Sequence, residues 1–577
     1  LAFDVAFGNN QMPPFEKTQP GFRDYLDSMT YAMINGQAGI IGGGIASGLR
    51  NEAEPQGGSH VNTVNITIAG NTVVGADDDN YRANIYGGGL ATEGALSTVG
   101  TVNIQIGDNS SEGPVINGDI YGGGIALDGM YRNAPYYNNA QSKVGSVNIV
   151  IASGTVNGDI YAGGRVISSE KDTNRNEASS IVETSHVTLL KDGVFKGKNI
   201  DAAGVVGDAI LTLGAEEFDL SNVTVKGFNK VETSGHVDNL TFDFGEKNEA
   251  TFAGVFDIAE LKAQTPSKLT IADSGIVALT KVPAADIMFH AANGVLALGD
   301  KANAKSSAQK LSTFNAIPGL YLAGNVDLTN VNAVIGNAPE ANVVTRAANE
   351  ISGVVIGSNG SVMADAGADT AVTNGSISGT KTSGLYFINV AAASKDNKKV
   401  VFGSDSLNGF DLDNKITVDN VRYEAINNDN TFTFAHIKDE SKLKDLGVDG
   451  FNPYAFDLIE FQNDEASKHI QSLLDQQNPM ISSSAHRHAQ LNAAFNLATA
   501  GGAQTAGIEG IMLGLEQVSK RAALTNTFVD GWTGFAEITG TQIELGSGSG
   551  MAETKTNLAV WLPAVSTPQM IGHLVGS

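Results

Sequence analysis

Between residues 40 and 204, an apolar pair runs into small residues five times. The copies are Ile40-Ile41-Gly42-Gly43-Gly44, Ile85-Tyr86-Gly87-Gly88-Gly89, Ile120-Tyr121-Gly122-Gly123-Gly124, Ile160-Tyr161-Ala162-Gly163-Gly164 and a decayed Ile200-Asp201-Ala202-Ala203-Gly204. They are 45, 35, 40 and 40 residues apart. Between them lies a second element in strict alternation: Val64-Asn65-Ile66-Thr67-Ile68, Val102-Asn103-Ile104-Gln105-Ile106, Val147-Asn148-Ile149-Val150-Ile151 and Val187-Thr188-Leu189-Leu190. Val, Ile or Leu at every second position with polar residues between them describes a strand buried on one face only. A third element, Val115-Ile116-Asn117-Gly118-Asp119 and Val156-Asn157-Gly158-Asp159, places an Asn-Gly turn just before the next Ile-Tyr-Gly strand.

A strand-and-turn unit of this length is either a propeller blade or two rungs of a β-solenoid. Propeller blades carry periodic aromatic or acidic markers, whereas the two tryptophans, Trp532 and Trp561, lie far outside the repeats. Length variation also follows the glycine motif, at Ala91–Val99, Ala126–Ser142 and Ile167–Ile181. Stacked rungs tolerate insertions at one corner, because the loops leave the stack on one face. The expectation is an all-β chain: a glycine-rich parallel β-solenoid (β-helix), a β-rich region and a C-terminal helical linker. Ile66, Ile104 and Ile149 should stack in one internal column. Glycines stacked rung over rung would let strands approach where a side chain would clash.

The expected organisation is an N-terminal cap over 1–35, the solenoid over 36–300, a β-rich continuation and closing region over 301–475, an Ala/Gly-rich helical linker over 476–530 and a short strand-like tail over 531–577. Ser482-Ser483-Ser484 can cap a helix, with Leu491, Ala494, Phe495 and Ala498 at helical spacing beyond it. After Gly531 the text becomes strand-like again around Trp532–Thr539 and Thr556–Pro563.

The chain has 577 residues, no cysteine and a formal charge of −26. Without cysteine there are no disulfides, thiolate metal sites or thiol nucleophiles. The charge opposes nucleic acid as a partner, since a phosphate backbone would be repelled. No run of eighteen apolar residues marks a transmembrane helix.

The order of these parts resembles a bacterial autotransporter. The likeness rests on a glycine-rich solenoid, then an Ala/Gly-rich helix containing Thr499-Ala500-Gly501-Gly502-Ala503-Gln504 and ending near Arg521, then Gly531-Trp532-Thr533-Gly534-Phe535-Ala536-Glu537. In that family the helix threads an outer-membrane barrel and the Trp-containing strand opens it. Only 46 residues follow Gly531, whereas a barrel takes at least about eight strands of roughly 9–11 residues. The chain by itself is therefore expected not to insert into a membrane. The resemblance implies a product at the cell surface of a Gram-negative bacterium or shed from it, acting in adhesion, aggregation or biofilm.

Candidate chemistry is sparse. Asp273-Ser274-Gly275 and Gly403-Ser404-Asp405-Ser406 carry fragments of hydrolase motifs, but neither has the strand–turn–helix context of a nucleophile elbow. Both read as turn serines, and no catalytic residue is assigned. His486 and His488 are two apart in a helical stretch and point away from each other. His60, His186 and His236 lie on or beside strands with no carboxylate at a recurring offset, and read as solvated or capping side chains. Asp77, Asp78 and Asp79 form the densest acidic cluster and could offer oxygen ligands to Ca2+, against the plainer reading of a solvated loop. No other cofactor is expected.

The insertion Tyr131-Arg132-Asn133-Ala134-Pro135-Tyr136-Tyr137-Asn138-Asn139 combines rings with adaptable amides, the chemistry of glycan and protein recognition. Tyr131, Arg132, Tyr136, Tyr137 and Asn138 are the candidate binding residues, although such a loop can equally fold back on the stack. The leading functional expectation is an adhesin or structural stalk that meets a glycan or protein of a host or bacterial surface and can associate with itself. The alternatives are a polysaccharide-active β-helix enzyme and a self-assembling extracellular filament subunit. Arg165 stands nearly alone among the repeat strands, which argues against a uronate-binding groove.

Overall fold

The computed structural model describes residues 39–47, 58–77, 82–92, 94–108, 113–127, 140–167, 178–283, 286–305, 319–338, 353–404, 406–439, 441–442, 533–545 and 554–566. For the last two segments only the backbone is described. Residues 1–386 together with 400–416 form one compact unit, and 387–399 together with 417–577 form another.

The first unit is a parallel β-solenoid. Its spine is a set of 11-residue strands, Gly58–Ile68, Leu96–Ile106, Gln141–Ile151 and Ser179–Leu189. Each pairs in parallel with the next, residue for residue. Ile66, Ile104 and Ile149 occupy one register position, as the alternation requires. The column continues through Val187, Leu211, Val231, Phe252 and Ile271, all buried. Burying a Leu- or Phe-sized side chain contributes about 1.5–3 kcal/mol, so this column is a principal source of cohesion between rungs.

Each repeat is one rung, not two. A long strand meets its equivalent one whole repeat later, 38 residues on from Asn65 to Asn103 and 45 on from Asn103 to Asn148. Around each coil the chain also lays down three short strands. Val73–Val74, Val115–Ile116 and Thr155–Val156 form one sheet, and Ile45–Ser47, Leu90–Thr92, Ile125–Leu127 and Arg165–Ile167 another. The Ile-Tyr strands Asn84–Tyr86, Ile120–Tyr121 and Ile160–Tyr161 stack between them. Beyond Ser179–Leu189 the coil tightens. Ile210 pairs with Lys230, Lys230 with Thr251 and Thr251 with Thr270, steps of about half the earlier length. Phe242, Phe244, Phe252 and Phe256 fill this narrower core with edge-on rings about 5 Å apart.

The triple glycine has a steric cause at each position. A Cβ on Gly42, Gly87 or Gly122 would lie 2.3–2.4 Å from Cγ1 of Val64, Val102 or Val147, which projects into the coil from the long strand. One on the middle glycine, as at Gly88, would lie 2.4 Å from the backbone nitrogen of Gly124 on the next rung. On the third, Gly44, Gly89, Gly124 or Gly164 would meet Oγ of Ser59, Ser97, Ser142 or Ser180 at 1.9–2.3 Å. Those serines are not idle: Ser97, Ser142 and Ser180 donate to the carbonyls of Gly44, Gly89 and Gly124 on the preceding rung, at 3.2, 3.2 and 2.9 Å. Gly118 and Gly158 of the Asn-Gly pairs also owe their identity to close approach. A Cβ there would lie 2.0 and 2.2 Å from the carbonyls of Ala83 and Gly118, and neither adopts the positive φ of a hairpin turn.

Length variation is not confined to the corner after the glycine motif. Ten residues separate Val74 from Ile85, against three between the equivalent Ile116 and Ile120 and three between Val156 and Ile160. Asp77 belongs to that second junction.

The second unit contains the short helix Val390–Lys395 and the antiparallel hairpin Tyr423–Asn428 with Thr431–His436. Asp429 and Asn430 both take positive φ at its tip, the backbone a two-residue hairpin loop needs. Phe387 packs on Phe432 and Phe434 with ring centroids at 4.8 and 5.3 Å. Thr533–Leu545 pairs antiparallel with Thr554–Ser566, extending the two tail strands read from the sequence. The expected cap over 1–35 and the helical linker over 476–530, with His486 and His488, lie outside the described residues. No helix among the described residues is long and apolar enough to cross a membrane, which says nothing of crossing by strands.

Candidate functional site

Every rung of the long-strand sheet turns alternate residues outward, and parallel pairing sets like beside like. Thr63, Thr101, Ser146 and Thr184 form one outward column, Asn65, Asn103, Asn148 and His186 a second, and Thr67, Gln105, Val150 and Thr188 a third. The asparagines are joined laterally: Asn103 Nδ2 donates to Asn65 Oδ1 at 2.8 Å and Asn148 Nδ2 to Asn103 Oδ1 at 3.0 Å. Ser146 Oγ donates to Thr101 Oγ1 at 3.2 Å. His186 Nε2 lies 2.8 Å from Thr212 Oγ1, which donates to Glu232 Oε1 at 2.8 Å. The result is a sheet of amides and hydroxyls repeating about every 4.8 Å between rungs. Amides and hydroxyls donate and accept at once, so the face can hydrogen-bond an extended polar ligand at several rungs together.

The Ile-Tyr-Gly motif builds a second column, of tyrosines, that is structural in place. Tyr86, Tyr121 and Tyr161 stack nearly parallel, with centroids 4.8 and 4.6 Å apart. Leu90, Ile125 and Leu127 pack with them, leaving Tyr86 and Tyr121 buried. Arg165 caps the group, its guanidinium 5.9 Å from the Tyr121 centroid and Nη1 donating to the Tyr86 hydroxyl at 3.3 Å. Burial pushes the Tyr161 phenol up to about 12, helped by the Asp159 carboxylate, and burial raises Tyr121 further. Asp119 and Asp159 are occupied too. Asp119 Oδ1 accepts from the Asp159 amide at 2.9 Å, and Asp159 Oδ1 from the Asn199 amide at 2.9 Å.

The turn serines stay turn serines. Ser274 sits at φ 62 with its amide donating to the Asn293 carbonyl, and Ser406 Oγ donates to the Gly375 carbonyl at 3.0 Å. Asp77 is exposed at a bend; Asp78 and Asp79 lie outside the described residues. Tyr131, Arg132, Tyr136, Tyr137 and Asn138, between the strands Ile125–Leu127 and Gln141–Ile151 in sequence, likewise lie outside the described residues.

Two histidines follow the expectation of surface positions and one corrects it. His60 is exposed beside Thr98, and His186 belongs to the outer face. His236 is only 6% exposed and is joined to a carboxylate of the next rung, Asp257. The signal for it was Asp238, two residues on, since strand residues at that spacing share a face. No protein-family model matches the chain, and neither does any curated protein or solved structure.

Proposed function

We propose that this chain is a bacterial surface protein, an adhesin or structural stalk exposed outside a Gram-negative cell. The observation that carries the reading is the outer face of the long strands, where hydroxyls repeat in register over four successive rungs and asparagine amides over three. Such a face suits ligands that are themselves extended and polar, namely a glycan or protein of a host or bacterial surface, or another copy of the chain. The Tyr- and Asn-rich insertion falls in sequence between the strands Ile125–Leu127 and Gln141–Ile151, and its rings and amides would supply the chemistry of glycan and protein recognition. A charge of −26 turns the chain away from nucleic acid.

The test is binding of the purified full chain to immobilised bacterial polysaccharides, host mucin-type glycans and matrix proteins. Saturable binding that falls tenfold or more when 130–139 is deleted, with an unchanged melting temperature, is the expected result. Equal binding by both forms would remove the insertion from the reading. Depolymerisation of a polysaccharide would replace adhesion with catalysis.

A further inference from the structure

We propose that His236, Asp238 and Asp257 form a binding site for a divalent transition cation of the zinc class, clamping two successive rungs. The three offer ligand atoms all within 4.8 Å of one another. His236 and Asp238 lie two apart on the strand Lys230–Asp243, so they share a face. The next rung, Glu249–Lys262, pairs Val255 with His236 and Phe256 with Val237, which sets Asp257 beside Asp238. The clamp thus joins residues about twenty positions apart that only the stacking brings together.

The spacing suits a tetrahedral ion. With metal–ligand bonds of about 2.0–2.2 Å, ligand atoms in a tetrahedral set stand roughly 3.3–3.6 Å apart. His236 Nε2 is 3.4 Å from Asp238 Oδ1 and 2.8 Å from Asp257 Oδ2. The second distance is that of a hydrogen bond and has to open by roughly half an ångström when metal replaces the proton.

One ligand is already oriented. The Ala304 amide donates to Asp257 Oδ1 at 2.6 Å and Asn303 Nδ2 to Oδ2 at 3.3 Å, the kind of outer support that fixes metal-binding carboxylates. His236 is buried while the Asp238 side chain is 42% exposed, so the group has a closed floor and an open mouth for entry and for a bound water. The Glu217–Lys305 ion pair lies on the neighbouring positions, with Lys305 two residues beyond Asn303.

The donor set selects the metal. An imidazole with two carboxylates suits zinc and its neighbours. Calcium takes 6–8 oxygens, and here one of the four carboxylate oxygens is already bonded to the Ala304 amide.

Isothermal titration of the chelator-stripped full chain with zinc chloride tests this, with calcium chloride as the second arm and melting temperature as a parallel readout. Zinc should bind and raise the melting temperature. Asp238→Asn, at the exposed ligand, should weaken the affected binding event at least tenfold while leaving the metal-free melting temperature unchanged. His236→Gln should abolish that event. Equal zinc binding and equal stabilisation in wild type and Asp238→Asn would overturn the proposal, because other histidines would then be responsible. Stabilisation by calcium but not zinc would overturn it as well.

Discussion

Replacing Gly88 with Ala isolates the rung-to-rung contact on which the repeat depends. The new Cβ would lie 2.4 Å from Gly124 N and 2.8 Å from Gly123 C and Gly124 Cα, where 3.4–4 Å is ordinary contact. All three atoms are backbone, so no side chain can swing away, and the rungs must part by about 1 Å at that point. One hydrogen bond spans that gap at the site itself, Gly88 N–H to Gly123 O at 3.1 Å. An opening of that size takes the bond beyond useful length, at about 0.5–1.5 kcal/mol. Overpacking strain adds about 1–3 kcal/mol, giving an expected loss of roughly 1.5–4.5 kcal/mol. Gly58→Ala is the control: its nearest neighbour would be Leu96 O at 3.8 Å, and its φ is not positive. It should be neutral or stabilise by about 0.4–1 kcal/mol through the unfolded chain. Urea unfolding followed by far-ultraviolet circular dichroism measures both, and hydrogen exchange at the Gly87 and Ile125 amides, which bond across the same gap to Tyr121 O and Gly89 O, shows whether the damage is local. If Gly88→Ala unfolds at the wild-type urea concentration, or Gly58→Ala loses as much, the steric account of the motif is wrong.

Ile104→Ala, in the centre of the internal column and 1% exposed, should cost about 2–5 kcal/mol in the same urea assay. Asn103→Ala, one position away on the outer face, removes two lateral amide bonds open to water and should cost under about 1 kcal/mol. The tyrosine column gives a pH signature. Because the Tyr161 phenol is raised from 10.0 to about 12 and Tyr121 is raised too, the fold favours their neutral forms. That contribution is fully present below pH 10 and lost as pH rises through about 12. Phenolate absorbance from these two residues should therefore appear above the ordinary tyrosine range and together with loss of β-sheet signal. Their titration near pH 10 in a coil that keeps its circular dichroism would contradict the burial argument.

The solenoid was legible because its N-terminal rungs repeat nearly the same words. The triplet Val-Asn-Ile recurs at 64, 102 and 147, and the register places each copy over the last. Strand alternation fixed the inward face, and the glycine motif fixed where chain and chain approach. The size of a rung was not legible, because a period in sequence does not say how many times the chain circles the core within it. Only the pairing of Asn65 with Asn103 shows that one period is one circuit.

The His236 cluster lies where that legibility ends. From Leu211 to Val231 to Phe252 to Ile271 the rungs keep inward apolar residues but share almost no letters. A core position accepts Leu, Val, Phe or Ile when the neighbouring volume adjusts, so the shortened period leaves no visible repeat. Asp238 could have been paired with His236 from strand geometry alone. Asp257 could not, because its place beside them depends on the half-length rung and on the register shifts between Glu232 and His236 and between Val237 and Leu240. Those irregularities re-aim side chains locally, as bulges in a strand do. A site assembled across rungs is therefore hidden most completely where the coil stops repeating itself.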